Sequence, residues 1–344
     1  MRAWLTYGFG DMRLQEVPEP EPQPGGVLVR VVAVQPGITE VLLLRGEVTA
    51  HYEDVRRMLE ESSPRQLFGH EFCGEVVALG EGAGRFQVGD RVTAQHAEGY
   101  TIGYELPGCL AEYAALPAEP LARVPDRVSD GEAAACQPLA SAVEAVEEAG
   151  VGPGDRVAIL GQGVMGLFLL QACRAAGASE VYGVDPRPEC LALSRKFGAA
   201  LAIPSDRTDP VQEVLRATGG RGADVVFEAA GGSPREGLAG DEALQQALRM
   251  VARRGRLVGI AHYHEPVRLD LNALRKKQVR YIFPGASSVG CLEKALDLMA
   301  REEVQIKPLL THQLRGIERV PEAFRITAEK RRYGALNPAQ VLMG

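Results

Sequence analysis

Apolar and polar positions change their rhythm along the chain. Up to Asp130, short β-branched runs are punctuated by Gly and Pro: Val27 to Val34 (VLVRVVAV), Gly74 to Leu79 (GEVVAL) and Gly89 to Thr93 (GDRVT). Such runs read as strands of an antiparallel, barrel-like domain. Pro18, Pro20, Pro22 and Pro24 predict an extended connector between the first two strands. His51 to Glu61 (HYEDVRRMLEE) predicts a short helix with a charged face. Near residue 140 strands and helices begin to alternate. Strands are predicted at 157–160, 181–184, 202–203, 224–227 and 256–260, with helices at 164–176, 188–197, 210–217 and 241–252. Repeated βα units imply a parallel sheet covered on both faces, so the fold class is α/β, a doubly wound sheet joined to a β domain. From Gly290 to the end, the pattern predicts helices near 290–301 and 321–330 and a terminal strand at 339–343.

Composition bounds what these elements can build. The 344 residues, 46% hydrophobic and 24% charged, suffice for two cores and are too apolar for wholesale disorder. No run approaches the roughly 18–20 apolar residues of a membrane span. The N-terminus, MRAWLTY, lacks a signal-peptide core, so a cytoplasmic protein without a membrane partner is expected. A net charge of −7 argues against nucleic acid as a partner. The six cysteines, Cys73, Cys109, Cys136, Cys173, Cys190 and Cys291, form no C-x-x-C pair. That removes a local zinc-ribbon spacing and leaves reduced thiols packed as small hydrophobes.

Gly161-Gln162-Gly163-Val164-Met165-Gly166 reads G-x-G-x-x-G. The hexamer follows a predicted strand and opens a predicted helix. A second strand ends at Asp185, at the separation from the motif that a ribose-binding acid takes in such folds. In this setting Gly161 permits a tight turn, Gly163 lets the backbone approach a pyrophosphate, and Gly166 allows helix to pack closely on strand. Val164 and Met165 sit at the helix N-terminus, whose free N–H groups face phosphate. Asp185 would accept hydrogen bonds from the adenosine ribose and repel a 2′-phosphate, which favours NAD over NADP. Arg187, two residues on, is able to accommodate that phosphate. The same hexamer also fits a βαβ turn that holds no ligand.

The chain resembles the medium-chain dehydrogenase/reductase superfamily, and within it the zinc alcohol, sorbitol and threonine dehydrogenases. The resemblance is carried by Gly69-His70-Glu71-Phe72-Cys73-Gly74-Glu75-Val76, Val88-Gly89-Asp90-Arg91-Val92, Pro138-Leu139-Ala140, the glycine motif, and Asp224 to Gly231 (DVVFEAAG). It implies a GroES-like β-barrel catalytic domain (1–138), a Rossmann dinucleotide-binding domain (139–287) and a return segment (288–344) completing the first. It implies hydride transfer to or from a nicotinamide held in the cleft between the domains. In zinc members the metal polarises the substrate oxygen and is held by a cysteine, a histidine and a third Cys, Asp or Glu. Here Gly37 falls where the thiolate is expected, and Gln137 replaces the acidic third ligand. Cys136, His96 or Cys73 would have to be recruited instead. Only Cys109 lies where four cysteines clamp the family's structural zinc. The expectation is therefore an enzyme without zinc and with no metal ligands.

Without a metal, the resemblance leaves Thr39 where a proton-relay hydroxyl sits, though a lone Thr at that turn equally reads as a helix N-cap. His70 is the general acid/base candidate, or else a satisfied buried histidine. Glu71 either joins it or pairs with an arginine to hold the cleft. His51, Tyr52, His96 and Tyr100 fall in segments expected to line a substrate pocket. His262 and His264 follow a predicted strand end near the nicotinamide, or lie on a surface loop. The leading expectation is an NAD(H)-dependent oxidoreductase acting on a small polar hydroxyl or carbonyl compound of the polyol, cyclitol or amino alcohol class, working as a homodimer or homotetramer. The alternatives are a zinc-independent enone or enoyl reductase, a redox-neutral enzyme that keeps its NAD, and a non-catalytic dinucleotide binder.

Overall fold

The structure, a computed structural model, describes residues 1–49, 51–95, 101–232, 239–263 and 266–344. The chain divides into two compact units, residues 1–140 with 287–344, and residues 141–286.

The first unit opens with the hairpin β1 (Arg2–Gly8) and β2 (Asp11–Glu16). The proline-rich connector therefore joins the second strand to the third, not the first to the second: residues 2–16 pair with each other before the prolines begin. β3 (Gly26–Gln35) leads into α1 (Ile38–Leu44) and α2 (Tyr52–Glu61). There follow β4 (Glu71–Leu79), β5 (Arg91–Ala94), β6 (Tyr113–Pro117), β7 (Leu121–Arg123) and α3 (Asp130–Ala134). β3 is the hub: it pairs antiparallel with β4 and with β6, so nearly all of its side chains are buried. Its last residue, Gln35, lies opposite Glu71, the first residue of β4. That pairing sets the candidate site at one end of the β3–β4 ladder.

The second unit begins within α4 (Gln137–Ala149) and alternates β8 (Arg156–Leu160), α5 (Val164–Ala175), β9 (Glu180–Asp185), α6 (Pro188–Lys196), β10 (Leu201–Pro204) and α7 (Pro210–Ala217). It continues with β11 (Ala223–Glu228), α8 (Asp241–Met250), β12 (Val251–Gly259), α9 (Leu271–Lys277) and β13 (Arg280–Ile282). The helix expected over 241–252 stops at Met250, because β12 starts at Val251, ahead of the strand predicted from Arg256. Among the described residues the strand order is β10-β9-β8-β11-β12-β13, all pairs parallel. The order reverses at β8, so the loop after β8 lies at a switch point, where α/β sheets hold their ligands. Val157 to Leu160 and Val225 to Phe227 are fully buried, as strands covered on both faces must be.

The chain returns to the first unit through α10 (Val289–Ala300), β14 (Gln313–Arg315), α11 (Val320–Ala328), α12 (Lys330–Tyr333) and β15 (Gln340–Leu342). β15 pairs antiparallel with β3 on the edge opposite β4, and β14 lies parallel to β15. Ile317, Phe324 and Val341 pack into the same core as Val29, Phe68 and Phe72, so the first unit is built from both ends of the chain. The six cysteines are buried, and none is in a disulfide. No helix among the described residues is long and apolar enough to cross a membrane.

Candidate functional site

The glycine turn after β8 fits a dinucleotide. Gly161 has φ +87°, and a Cβ there would lie 2.6 Å from the Ala229 carbonyl oxygen. A Cβ on Gly166 would lie 1.8 Å from the Gly161 carbonyl oxygen, so only glycine lets α5 approach the strand this closely. Gly163 differs: it is the N-cap of α5 with no side-chain cap, and the nearest atom to a Cβ there is Arg187 Nη2 at 3.8 Å. The space over that residue is open, and the first-turn N–H groups, those of Val164 and Met165 among them, are left for an anion. These residues would hold the pyrophosphate of a bound dinucleotide. We expect Gly166→Ala to cost about 1–3 kcal/mol of stability by overpacking. Dinucleotide affinity should fall by about tenfold, each decade being about 1.4 kcal/mol. Thermal unfolding and calorimetric titration measure the two.

Asp185, buried at the end of β9, is fully engaged. Its Oδ1 accepts the Arg187 backbone N–H at 2.8 Å and Arg187 Nε at 3.0 Å; its Oδ2 accepts the Gln162 N–H at 2.7 Å and Arg187 Nη2 at 3.1 Å. Burial works against the charge on Arg187, but its bonds to Asp185 outweigh that and raise its pKa. The Asp185 charge expected to repel a 2′-phosphate is thus already met by a guanidinium.

In the first unit, His70 and Glu71 stand where the chain enters β4, facing the end of β3. His70 is buried, and its Nδ1 lies 2.5 Å from Glu40 Oε1. The same Glu40 oxygen accepts the Gly69 N–H at 2.7 Å and the His70 N–H at 3.2 Å, while its Oε2 accepts the Gly37 N–H at 3.2 Å. A carboxylate already taking backbone donors acts as acceptor, so Nδ1 carries the proton and Nε2 is the unprotonated nitrogen of the neutral ring. Nε2 lies 3.8 Å from Glu71 Oε1. Glu71 Oε2 accepts from Gln35 Nε2. Gln35 Oε1 in turn accepts from Asn337 Nδ2 at 2.7 Å and Gln340 Nε2 at 2.9 Å, so the return segment braces the site. Glu71 thus pairs with glutamine and histidine rather than an arginine.

Burial disfavours a charged His70, but the Glu40 carboxylate, with Glu71 beyond it, more than compensates and holds the imidazole above its ordinary range. Burial raises Glu71 in its turn, with His70 and Gln35 opposing. The Tyr104 ring lies 5.5 Å from that of His70, and His51 stacks on Tyr104 at 4.5 Å and 10°. Tyr52 stacks on Phe9. Thr39 is the second residue of α1, whose N-cap is Gly37, so Thr39 does not cap the helix; its side chain is half-buried. His262 is exposed after β12, which makes it a surface-loop residue. His96, Tyr100 and His264 lie outside the described residues. Sequence reasoning passed over Glu40, Gln35 and Tyr104. Of these only Glu40 left a signal, an acid three residues after Gly37 at capping-box spacing.

Residues 23–126 match the alcohol dehydrogenase GroES-like domain and residues 164–301 the zinc-binding dehydrogenase domain. The chain is 32% identical to (R,R)-butanediol dehydrogenase of Bacillus subtilis over 67% of its length and 71% of the relative's. It is 30% identical to L-threonine 3-dehydrogenase of Pyrococcus horikoshii over 93% of its length and 92% of the relative's. The chain belongs to the zinc-type medium-chain dehydrogenases. A Sinorhizobium meliloti 1021 protein of the zinc-binding dehydrogenase kind, solved with NADP bound, superposes with a TM-score of 0.83 at 25% identity, over 99% of this chain and 98% of that one. The protein is accordingly an oxidoreductase of the alcohol dehydrogenase type, in an NAD(P)-dependent family.

Within this medium-chain dehydrogenase, the described residues do not make up the family's catalytic zinc set; His96, the other candidate, lies outside them. Catalytic zinc takes three protein ligands and keeps one position open. A Cβ on Gly37 would lie 3.0 Å from Glu71 Oε1, 3.2 Å from His70 Cε1 and 3.7 Å from His70 Nε2. A side chain there would aim at the two donors, and glycine has none. Gln137 Nε2 donates to Gln95 Oε1 at 2.9 Å. Cys73 is turned to Asp130, 3.6 Å away, and burial pushes the Cys73 and Cys136 thiols up, away from the thiolate zinc needs. Among the described residues no three His, Cys, Asp or Glu side chains converge on one point.

Proposed function

We propose that this dehydrogenase interconverts a small polar secondary alcohol and its ketone, of the diol, polyol, cyclitol or amino alcohol class, with His70 rather than zinc handling the substrate oxygen. One observation carries the reading. The side chain missing at Gly37 leaves His70 Nε2 and Glu71 Oε1 facing a position where the ligand thiolate would stand. The named activities of the butanediol and threonine dehydrogenase relatives support the substrate class.

A dinucleotide held at Gly161–Gly166 would supply the acceptor or donor for the hydride of the substrate carbon. The chain's own residues manage the proton. Glu40 fixes the imidazole so that Nε2 takes the hydroxyl proton in oxidation and returns it to the carbonyl oxygen in reduction. Glu71 faces the imidazolium so formed, and Gln35 keeps that carboxylate in place. Thr39, in the turn that carries Glu40, supplies a hydroxyl for relay to solvent.

The raised His70 pKa gives this a pH signature. Oxidation needs the free base, so its rate should climb as pH passes through the raised value, above the 6.5 of an ordinary imidazole; reduction should fall over the same interval. The linked stability falls over the same interval: it is full below about 6.5 and lost as pH rises through the folded value. Steady-state rates in both directions from mildly acidic to alkaline pH, set beside thermal unfolding, check both trends.

The deciding experiment is metal analysis of purified protein with assays of diol, polyol, amino alcohol and enone panels before and after chelator. Alcohol oxidation that persists without metal is the expected result. Activity lost with the metal, or confined to enones, would overturn the reading.

A further inference from the structure

We propose that Tyr263 is a positioning residue for dinucleotide binding: through Glu228 it fixes the turn at 229–231, against which the glycine turn after β8 rests. The inference rests on reading Gly161–Gly166 as a dinucleotide turn, and it adds residues outside that motif.

The connection starts at the end of β11. Glu228, the last residue of that strand, is fully buried. Its Oε1 accepts the Ala230 N–H at 2.8 Å, and its Oε2 accepts the Tyr263 O–H. Its backbone carbonyl oxygen accepts the Ile260 N–H at 2.9 Å and the Ala261 N–H at 3.0 Å. One residue thus pins both the loop that leaves β11 and the loop that leaves β12. Burial raises the Glu228 pKa, and the Tyr263 O–H and the Ala230 and Gly231 N–H groups oppose that. The donors that favour the charged form all come from these two loops.

The turn so fixed is a wall of the candidate site. Glu228 lies opposite Leu160, the residue before Gly161, and the Ala229 N–H donates to the Leu160 carbonyl oxygen at 2.9 Å. A Cβ on Gly161 would lie 2.8 Å from the Ala229 carbonyl carbon and 3.0 Å from Ala230 Cα, so a shift of 229–230 is felt by the glycine turn. At Gly231 a Cβ would lie 2.7 Å from Ala261 Cβ and 2.8 Å from Tyr263 Cε1. The Tyr263 ring therefore closes on Gly231 while its hydroxyl holds Glu228.

This clamp depends on charge. A carboxylate accepts at both oxygens; once protonated, it turns one of them into a donor and no longer accepts from both Tyr263 and Ala230. A dinucleotide that needs the turn in place binds the ionised form, so binding near the Glu228 titration releases a proton. The titratable groups around the carboxylate are Tyr263 and Tyr281, with Asp241 acting on Tyr263, and burial raises both phenols. His262, exposed beside Tyr263, is present in every variant below and cancels in the comparison.

The test is calorimetric titration of the full chain, wild type, Tyr263→Phe and Glu228→Gln, with NAD+ and NADP+. It runs from mildly alkaline to mildly acidic pH in buffers of differing ionisation enthalpy, beside thermal unfolding. In wild type, affinity for the tighter-binding dinucleotide should fall as pH drops through the raised Glu228 value, above 4.5, with proton release over that interval. Tyr263→Phe keeps the ring on Gly231 and removes the donor. Its affinity should fall about tenfold, and the midpoint of its pH profile should rise. Glu228→Gln keeps a bond to each partner, its oxygen accepting from Ala230 and its Nε2 donating to the Tyr263 oxygen. With no charge to titrate, its affinity should stay level with pH and release no proton; this variant decides if Tyr263→Phe fails to fold. A flat wild-type profile, or a Tyr263→Phe midpoint that coincides with wild type, would leave Tyr263 a packing residue and overturn the proposal with the dinucleotide site still standing. A Glu228→Gln profile that falls as wild type does would overturn it as well. Failure of wild type to bind either dinucleotide would overturn the site itself, and this proposal with it.

Discussion

Gly37→Cys should hold one zinc ion per polypeptide, where the wild type is expected to take up none. The substitution supplies the group that the geometry lacks. Its Cβ would sit 3.0 Å from Glu71 Oε1 and 3.7 Å from His70 Nε2, with the sulfur carried beyond it toward both. Zinc binds thiolate sulfur at about 2.3 Å and imidazole nitrogen at about 2.0–2.1 Å, a span these atoms meet with only a small shift. The second requirement is an oriented imidazole, and Glu40 already fixes Nδ1 so that Nε2 points to the site. Gly37 lies in ordinary extended backbone (φ −65°, ψ 160°), so a cysteine adds no backbone strain. Gly37→Ala is the control: it crowds the same neighbours without a donor and should leave zinc uptake at zero. Inductively coupled plasma mass spectrometry on protein purified with zinc present reads the result. Stoichiometric zinc in the wild type would show that a ligand outside His70 and Glu71 completes the site. No zinc in Gly37→Cys would show that the donors do not converge as their geometry states.

Much of the dinucleotide half was legible because its logic is local. The turn, the helix that follows it and the next strand all lie between Gly161 and Asp185, and the tight contacts of Gly161 and Gly166 are with backbone of the turn itself or of a neighbouring strand's end. The departures at Gly37 and Gln137 were legible for the same reason, since each interrupts a short motif. The pairing of Asp185 was not: Arg187 could be counted, but whether it would reach a phosphate or close back on Asp185 depends on the turn before Pro188. The polar half of the catalytic unit was less legible still. Glu40 follows Thr39 in a run that continues Val41-Leu42-Leu43-Leu44, and nothing nearby marks it as the partner of a histidine far along the chain. Gln35 looks like the polar end of a strand until its register sets it opposite Glu71. Tyr104 reaches His70 only through tertiary packing. The β1–β2 hairpin escaped because Asp11 to Glu16 is mostly polar on a half-exposed edge, with no apolar run to announce it.

His70→Ala should lower kcat by about 10²–10⁴, the usual worth of a positioned proton donor and acceptor, in both reaction directions. Dinucleotide affinity should hold, because the residues assigned to binding it belong to the second unit. The companion variant, Glu40→Gln, separates the proton from its positioning. Turned so that its carbonyl oxygen meets His70 Nδ1 and the Gly69 and His70 N–H groups, the amide loses only the bond to Gly37 N–H. The imidazole would keep its direction but lose the neighbouring charge that holds its pKa up. The midpoint of the oxidation pH profile should therefore move down, with a much smaller loss of kcat than in His70→Ala. Glu40→Ala is a different change. It strands buried donors and removes one side of a buried pair, at a cost of about 3–5 kcal/mol. Its signature is a lower unfolding temperature rather than a displaced pH profile. A Glu40→Gln profile that coincides with wild type would mean that the ionisation seen in the rates belongs to another group. His70→Ala at wild-type kcat would reduce His70 to a buried, satisfied histidine and remove it from the proton path.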